Sequence, residues 1–513
     1  MPFASTQQTT AISNSISGDY RIDVLLEDAN TRWARGSSAG TPVVVTYSFM
    51  TSAPTYAAVE YRIGFAEFTA SQKAAAREIF SLLTAQLNIS FQEVLDAESR
   101  YGQIRLGNNS QGSDSAGYAF LPDTSAGDIA GDVFINNISS NRNGVTVGTY
   151  AYSTLVHEIG HALGLKHPGN YNVGEAPSDA PGNYLAASED TEANSIMSYV
   201  SVAQEQQRAF FGKYDLLALQ YLYGARSYAT GDDQYQYGNS TGQLHILIND
   251  NGGVDTIDAS SATVGASIDL RDGNFSSIGI AQDGSAAARN VSIMYGSVIE
   301  NAVGTVGSDT MTGNSAANVF TPGRGNDVID GSTGFDTVVT GSARGNFTLA
   351  RNGAIVTATD TSGAFGTKTL ASVERIKFSD AVVAFDTDGV AGQVYRLYQA
   401  AFDRKPDTGG LGVWINYMEK GASLVDVAAG FFNSAEFKAL YGSNPSNADY
   451  VTRFYQNVLH RAPDEGGFQA WMNELTNGHR SPVIALSQFS ESPENQAQVI
   501  GVIQNGMEFI PVA

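Results

Sequence analysis

The stretch HEIGHALGLKH at positions 157–167 holds three of the six histidines of this 513-residue chain. The apolar residues around it recur with helical spacing, at Leu155, Val156, Ile159, Ala162 and Leu163. On such a helix His157 and His161 are four residues apart and share one side. Two neutral imidazoles one turn apart can hold a zinc ion.

The residues between and after these histidines complete a candidate catalytic site. Glu158 is the candidate general base, because in an HExxH helix this carboxylate lies beside the metal and can accept a proton from the water that zinc activates. Gly164 allows the backbone to leave the helix, so that His167 can return as a third ligand. Three protein ligands leave one position open, which is typical of catalytic rather than structural zinc.

The pattern HExxHxxGxxH is far more selective than HExxH alone, and it is typical of metzincins. Metzincins also need a methionine turn, which NSIMSYV (194–200) supplies with Met197. Taken alone, Met197 would be core filler and Tyr199 would be one of 24 tyrosines. Their joint placement favours a functional site.

Composition restricts the partners. The net charge is -23, with 29 Lys and Arg against 52 Asp and Glu, which argues against nucleic acid or anionic membrane and leaves carboxylates for calcium. The chain has no cysteine, so disulfides contribute nothing. No apolar run reaches the roughly 18 residues of a membrane span, and the polar N-terminal stretch lacks the regions of a secretory signal peptide. We therefore expect either a cytoplasmic protein or export by another route.

Shifts in composition divide the chain into four parts. Residues 1–18 read as a mobile leader or propeptide. Residues 19–228 mix strand patterns, as in PVVVTYSF (42–49) and GQIRLGN (102–108), with a helix over 69–87 that Thr69 and Gln72 begin as a capping box. Residues 229–385 are rich in turn formers and predict an all-β region. Helical patterns return over 390–513.

Several stretches of residues 19–385 resemble the serralysins, the secreted RTX metzincins of Gram-negative bacteria. They are GDYRIDVLLEDANTRW (18–33), AGDVFINN (130–137), SEDTEANSIMSYV (188–200) and YDLLALQYLYGA (214–225). The resemblance implies an α+β zincin-like protease domain, with GDVFINN as the edge strand on which a peptide substrate lies extended and is recognised with broad specificity.

The resemblance also implies roles for individual residues. His157, His161 and His167 would bind zinc, and Glu158 would be the catalytic base. Tyr199 would ligate zinc at rest and swing away to stabilise the oxyanion when a peptide is bound. Met197 would lie beneath the site without touching substrate.

Four nonapeptides run without a gap from 304 to 339 and resemble the RTX repeat GGxGxDxUx. Its Asp position is held by Asp309, Asn318, Asp327 and Asp336, and its large apolar position by Met311, Phe320, Ile329 and Val338. The repeats predict a parallel β-roll that binds Ca²⁺, in which alternate turns stack. Pro322 replaces a first glycine of the pattern, Ser332 a second glycine and Asn318 an aspartate. Asp309 would pair with Asp327 and Asn318 with Asp336, and we expect the second of these sites to be the weaker one. NDNGGVDTID (249–258) resembles the entry calcium site, with Asp255 as ligand.

The last part repeats at a period of 57 residues, since 394–418 and 451–475 align without a gap. Each all-α unit, about 390–445 and 446–505, reads as helix, R-x-P-D-x-x-G turn, helix. The repeats resemble a domain-of-unknown-function family appended to bacterial exported and surface proteins. We expect Arg404 and Asp407 to fix the turn rather than do chemistry, and the module could bind a cell-surface ligand.

These observations predict a secreted zinc endopeptidase that acts on protein substrates and is stabilised by calcium. The resemblance implies type I export machinery that reads a C-terminal signal, for which the candidate is MEFIPVA (507–513). An alternative is a surface-attached binding or adhesion protein with an idle protease domain, which the eroded repeats and added tail favour. The presence of every expected catalytic residue favours the enzyme.

Overall fold

The computed structural model describes residues 16–97, 100–113, 115–169, 171, 184–201, 204 and 206–512. The chain divides into two compact units, Met1–Asn301 and Ala302–Ala513. Most of the predicted leader, residues 1–15, lies outside the described residues. Its last part belongs to the first unit, because the Asp23 carboxylate accepts the backbone N–H groups of Ile16 and Ser17.

The first unit begins with an α+β layer. Its helices are α1 Tyr20–Asp23, α2 Val59–Arg62, α3 Ala70–Gln86, α4 Ser139–Arg142, α5 Tyr150–Ala162 and α6 Lys213–Tyr223. Its strands are β1 Val43–Phe49, β2 Ile89–Glu93, β3 Ile104–Asn109, β4 Gly117–Ala119, β5 Val133–Asn136 and β6 Gln207–Arg208. The predicted capping box is confirmed at α3, where Thr69 and Gln72 bond each other's backbone N–H. The predicted strands at 42–49 and 102–108 are confirmed as β1 and β3.

Five of these strands form a sheet in the order β2-β1-β3-β5-β4. The strands β1, β2, β3 and β5 are parallel, and β4 runs antiparallel to β5. The prediction that GDVFINN forms the edge strand is therefore wrong, since β5 is paired on both sides and the edge is β4. Every side chain of β5 is buried, as expected for an interior strand.

Residues 229–301 fold as part of the first unit. Their strands are β7 Gln234–Gly238, β8 Leu244–Ile248, β9 Thr256–Ser261, β10 Ser267–Asp269, β11 Phe275–Ser276 and β12 Val291–Ile293. Composition changes at 228, yet the compact unit continues because β6 pairs in parallel with β8 and Asn249 donates to Gln86 across 163 residues of sequence. The strand β13, Asn301–Val303, lies at the boundary between the two units.

The second unit opens with short strands connected by tight turns. They are β14 Thr310–Thr312, β15 Val319–Thr321, β16 Asp327–Asp330, β17 Thr337–Val339, β18 Phe347–Asn352, β19 Ile355–Asp360, β20 Thr367–Ala371, β21 Arg375–Lys377 and β22 Val382–Ala384. The strands β14 to β17 alternate between two sheets: β14, β16 and β20 pair in parallel in one, and β15, β17 and β21 in the other. The antiparallel hairpin of β18 and β19 adds to the first of these sheets next to β20. The residues at the large apolar position of the four nonapeptides are all buried: Met311, Phe320, Ile329 and Val338.

Two helical repeats follow. Their helices are α7 Val390–Phe402, α8 Thr408–Glu419, α9 Leu424–Asn433, α10 Ala435–Tyr441, α11 Asn447–Val458, α12 Glu465–Thr476, α13 Pro482–Ser490 and α14 Pro493–Ile503. Each helical repeat thus has four helices, whereas the sequence predicted two helices around the turn. The structural role of the turn is confirmed: Asp407 caps α8, and Arg404 forms a two-bond ion pair with Glu436 on α10.

A last strand, β23 Met507–Phe509, returns to the β region and pairs antiparallel with β22. Met507 and Phe509 are buried in the same apolar cluster as Val382 and Ala384. Across the described ranges, no helix has both the length and the apolar character that crossing a membrane requires.

Candidate metal centre

The helix α5 and the turn after it position the three histidines. The helix ends at Ala162, and Gly164 has φ +102°, a conformation that side chains rarely adopt. A Cβ at this position would lie 2.2 Å from the backbone oxygen of Thr31. The predicted exit from the helix at Gly164 is confirmed, and it brings His167 back beside His157 and His161.

The three imidazoles converge through their Nε2 atoms. The Nε2 of His167 lies 3.2 Å from that of His157 and 3.1 Å from that of His161. The Nδ1 of His157 is 2.8 Å from the Ile196 carbonyl oxygen, and the Nδ1 of His161 is 2.7 Å from that of Leu165. Because a carbonyl only accepts, both Nδ1 atoms donate, and the Nε2 of each neutral ring presents a lone pair to the cluster.

This arrangement fits a zinc ion. Lone pairs that face one another repel unless a cation lies between them, and two Zn–N bonds of about 2.0–2.1 Å at a tetrahedral angle separate their nitrogens by roughly 3.3 Å. Burial lowers the pKa of His157 to about 4 and that of His161 to about 3. Both rings are therefore neutral, and able to ligate, at neutral pH.

Glu158 is buried next to the cluster. Its Oε2 has no hydrogen-bond partner among the described residues, and burial raises its pKa to about 8. The edge strand β4 passes directly over it, since a Cβ on Gly117 would lie 2.9 Å from the Glu158 Cγ. A carboxyl in this environment can take up and release a proton near neutral pH.

Tyr199 and Met197 lie where the sequence predicted, around the imidazoles. The Tyr199 ring centroid is 4.4 Å from that of His167 and 5.6 Å from that of His157. Partial burial and the Glu158 carboxylate raise the pKa of the Tyr199 phenol, which therefore keeps its proton and can donate. Met197 is fully buried beneath α5, where a Cβ on Gly160 would meet its sulfur at 2.8 Å.

Asp215, which the sequence analysis did not single out, holds the methionine turn in place. Its carboxylate accepts the N–H groups of Ile196 and Gly212, each at 2.7 Å, and the Ser195 hydroxyl. It thereby fixes the Ile196 carbonyl that orients His157. The sequence could have indicated Asp215 by its position as the third residue of α6, where an acidic side chain caps the start of a helix.

Tyr171 and Asp190 also escaped the sequence analysis. The Tyr171 hydroxyl donates to Asp190 at 2.9 Å and accepts the N–H of Tyr199 at 3.2 Å. The two tyrosine rings stack with centroids 5.0 Å apart. This network holds the backbone of Tyr199 while its ring stays against the histidines.

A second cluster of possible metal ligands surrounds the predicted Asp255. Carboxylate oxygens of Asp233, Asp250 and Asp255 all lie within 4.8 Å of one another. The Oδ2 of Asp255 is buried without a partner among the described residues, and burial with the Asp250 charge raises its pKa to about 6. Three carboxylates so close together, of which Asp250 and Asp255 are buried, fit a hard cation such as Ca²⁺.

The four predicted roll residues lie in two columns. The N–H of Asp309 donates to Asp327 and that of Asn318 donates to Asp336, both at 2.8 Å. The Asp336 Oδ2 is buried with no partner within the described ranges, and burial raises its pKa to about 7. The Asp327 Oδ2 is bonded instead by the ammonium group of Lys368.

Three families match successive parts of the chain. Residues 96–214 match "Metallo-peptidase family M12B Reprolysin-like", residues 215–402 match "Peptidase M10 serralysin C terminal", and residues 391–441 and 428–499 match "Domain of unknown function (DUF4214)".

Curated proteins give a consistent result. Metallopeptidase AprA of Pseudomonas marginalis is 37% identical over 54% of this chain and 61% of its own length. Serralysin of Proteus mirabilis is 35% identical over 57% of this chain and 63% of its own length. The chain thus spans about three fifths of these relatives. Together with the HExxHxxGxxH helix and its converging imidazoles, these matches show that the chain is similar to the serralysin-type metzincins over residues 96–402 and carries a region similar to DUF4214 behind that part.

Proposed function

We propose that this protein is a secreted zinc endopeptidase. The observation that carries the proposal is the convergence of three imidazole Nε2 atoms beside a buried carboxylate, Glu158, whose Oε2 has no hydrogen-bond partner in the described part of the chain. A structural zinc site would have a fourth protein ligand and no such carboxylate. The names of the relatives, a metallopeptidase and a serralysin, support the same activity.

In this proposal His157, His161 and His167 hold the metal. Zinc, when bound, would supply Lewis acidity toward the scissile carbonyl and make the attacking water more acidic. Glu158 accepts the proton of that water and passes it to the leaving amine. The protonated phenol of Tyr199 donates a hydrogen bond to the developing oxyanion.

We propose that the peptide lies along β4 rather than along β5. The bonds from Asn136 N–H to Ala116 O and from Phe120 N–H to Asp132 O fix the ladder register, so the peptide groups of Gly117 and Ala119 point to the open edge. A substrate that adds a strand there would be held by its main chain, which demands little of its sequence and favours broad specificity.

We further propose that calcium stabilises the β region, which would then be a β-roll with Asp255, Asp309, Asn318 and Asp336 among its ligands. Asp255 and Asp336 each have a buried Oδ2 with no hydrogen-bond partner among the residues that the structure describes, which supports this assignment. Such sites would fill at the roughly millimolar calcium found outside cells, after export by type I machinery. The DUF4214 repeats could then hold the enzyme to a cell-surface ligand.

Casein digestion by the purified chain tests the activity. We expect hydrolysis that a zinc chelator abolishes and added zinc restores. Glu158→Gln should bind zinc with wild-type stoichiometry and leave casein intact, because it removes the base and keeps the shape of the side chain. The proposed mechanism would be wrong if Glu158→Gln kept near-normal turnover, and the adhesion alternative would gain if the zinc-loaded wild type were inactive.

A further inference from the structure

Lys368 is a buried lysine in the middle of the second unit. Its side chain is 1% exposed, and it lies on β20 directly opposite Asp327 of β16. Since Asp309 precedes Asp327 in the same parallel column, Lys368 occupies the position that the next acidic residue of the roll would hold. The hairpin of β18 and β19 separates it from the nonapeptides in sequence, so the repeat pattern does not reveal it.

The ammonium group of Lys368 is surrounded by oxygen atoms of a single turn. It donates to the carbonyl oxygens of Gly323 and Gly325, at 2.9 and 3.1 Å, and to the Asp327 Oδ2. Backbone carbonyl oxygens and a carboxylate are also the ligands that an RTX turn offers to Ca²⁺. The three N–H groups of an ammonium match three such acceptors.

The second column of the roll, which contains Asn318 and Asp336, has a different residue at the position that corresponds to Lys368. There the residue opposite Asp336 is Glu374, whose carboxylate accepts the Asp336 N–H at 2.7 Å. Burial and, to a smaller extent, the Glu374 charge raise the pKa of Asp336. One column therefore ends in a lysine and the other in a second carboxylate.

We propose that the Lys368 ammonium takes the place of a calcium ion at the turn of residues 322–327. This turn would carry its own cation, fold without calcium and exclude the ion by charge. Asp327 is then an ion-pair partner of Lys368, whereas Asp336 with Glu374 remains a place for a metal. The proposal concerns folding of the β region and does not depend on peptidase activity.

Amine labelling of the full wild-type chain tests the proposal without any variant. We expect an acylating reagent to leave Lys368 unmodified both in EGTA and in calcium, as read by mass spectrometry of its peptide. Lys377 is an exposed lysine on β21, the next strand in sequence. It should be labelled both in EGTA and in calcium and serves as the matched control. Labelling of Lys368 that appears on adding calcium would show that the ion displaces it, and labelling in EGTA at the rate of Lys377 would show that the pair does not form. Either result would overturn the proposal.

Two substitutions test the exchange of cation directly. Lys368→Asp should make amide exchange over Val328–Asp330 in EGTA more than about a hundredfold faster, because it leaves Asp327 buried without a cation. Added calcium should restore the protection and raise the bound calcium by one ion per chain over wild type. Lys377→Asp makes the same charge change on the surface and should alter neither quantity.

Lys368→Met keeps the aliphatic stem and removes the ammonium, so it should lose the protection in EGTA and not regain it with calcium. If Lys368→Met exchanged as slowly as wild type in EGTA, the ammonium would have no role and the proposal would fail. This measurement also decides the matter if Lys368→Asp does not fold.

Discussion

Backbone carbonyls orient the side chains of the metal centre. The spacing of His157, His161 and His167 was sufficient to predict their convergence, because the helical period and the glycine exit are local properties. The carbonyl partner of His157 could not be predicted in this way, since Ile196 is 39 residues away in sequence and its position depends on Asp215 of α6. Tyr171 was missed for the same reason.

At Tyr199 we predict that replacement by Phe lowers kcat by roughly 10–1000-fold, the range for one oxyanion donor, with little change in KM. The ring still packs on His167 and His157, so folding should be unaffected, and the three imidazoles should still hold zinc without the phenol as a resting ligand. Steady-state kinetics on a fluorogenic peptide would measure this. A change confined to KM would make Tyr199 a substrate-binding residue instead.

Lys213 should give the first unit a specific dependence on pH. Its amine donates to the Gly273 carbonyl and lies 4.1 Å from the Phe275 ring centroid, and burial together with Arg289 lowers its pKa to about 7. Between that value and the ordinary lysine pKa of about 10.4, the unfolded chain binds a proton that the folded chain has released, so stability rises with pH.

We predict that this group adds up to about 2–3 kcal/mol to the free energy of unfolding between roughly pH 6 and pH 9. Lys213→Met should lack that gain. Chemical denaturation measures the free energy of unfolding of both proteins at the two pH values. The change with pH is then compared between wild type and Lys213→Met, so that the contributions of other titrating groups cancel. Equal slopes for the two proteins would mean that the amine stays protonated in the folded state.

Among the elements, those with strong local patterns were predicted and short ones were not. The helix α3 has seven buried residues on one face and a complete capping box. The mistaken edge strand shows the limit of local sequence: β5, with the sequence VFIN, is an interior strand only because β4 pairs beside it. With three residues, GYA, β4 has too short a pattern to predict.

The end of α5 provides a prediction at this scale. Gly164→Ala should destabilise the first unit by about 2 kcal/mol or more, because of the positive φ and the clash with the Thr31 oxygen, and should weaken zinc binding by moving His167. Gly144→Ala is the control, since it has φ +62° and open space around its Cβ position, so only about 1 kcal/mol of backbone strain is expected. Thermal unfolding and zinc competition titration measure both effects. Equal costs for the two substitutions would contradict the role given to Thr31.

For the whole molecule, composition located the change from mixed to β structure and from β to helix, but not the compact units. Units depend on long-range pairs such as β6 with β8 and β22 with β23, which leave no mark in local composition. The 57-residue period did predict the two helical repeats. The second half of each repeat also matches, with a one-residue shift that is seen between the caps Ser434 and Ser492, but its helices were not predicted.

Removal of MEFIPVA (507–513) should have two separable consequences. It should block export, if this segment is the type I signal, and it should destabilise the second unit by several kcal/mol through loss of the buried Met507 and Phe509. The double substitution Met507→Ala and Phe509→Ala keeps the length and weakens only the packing. Secreted and cellular fractions measured by immunoblot distinguish the two effects. Export that survives the deletion would place the signal elsewhere.

Because β22 pairs with β23, the helical region begins and ends at two neighbouring strands of one sheet. Ala384 and Met507 are opposite each other across the two strands, so a chain segment of more than a hundred residues enters and leaves the sheet about 5 Å apart. In topological terms, both DUF4214 repeats are an insertion into a β-hairpin. A two-residue Asn-Gly turn could replace them without altering the strand order, and other modules could be exchanged at the same place while the strands before them stay unchanged.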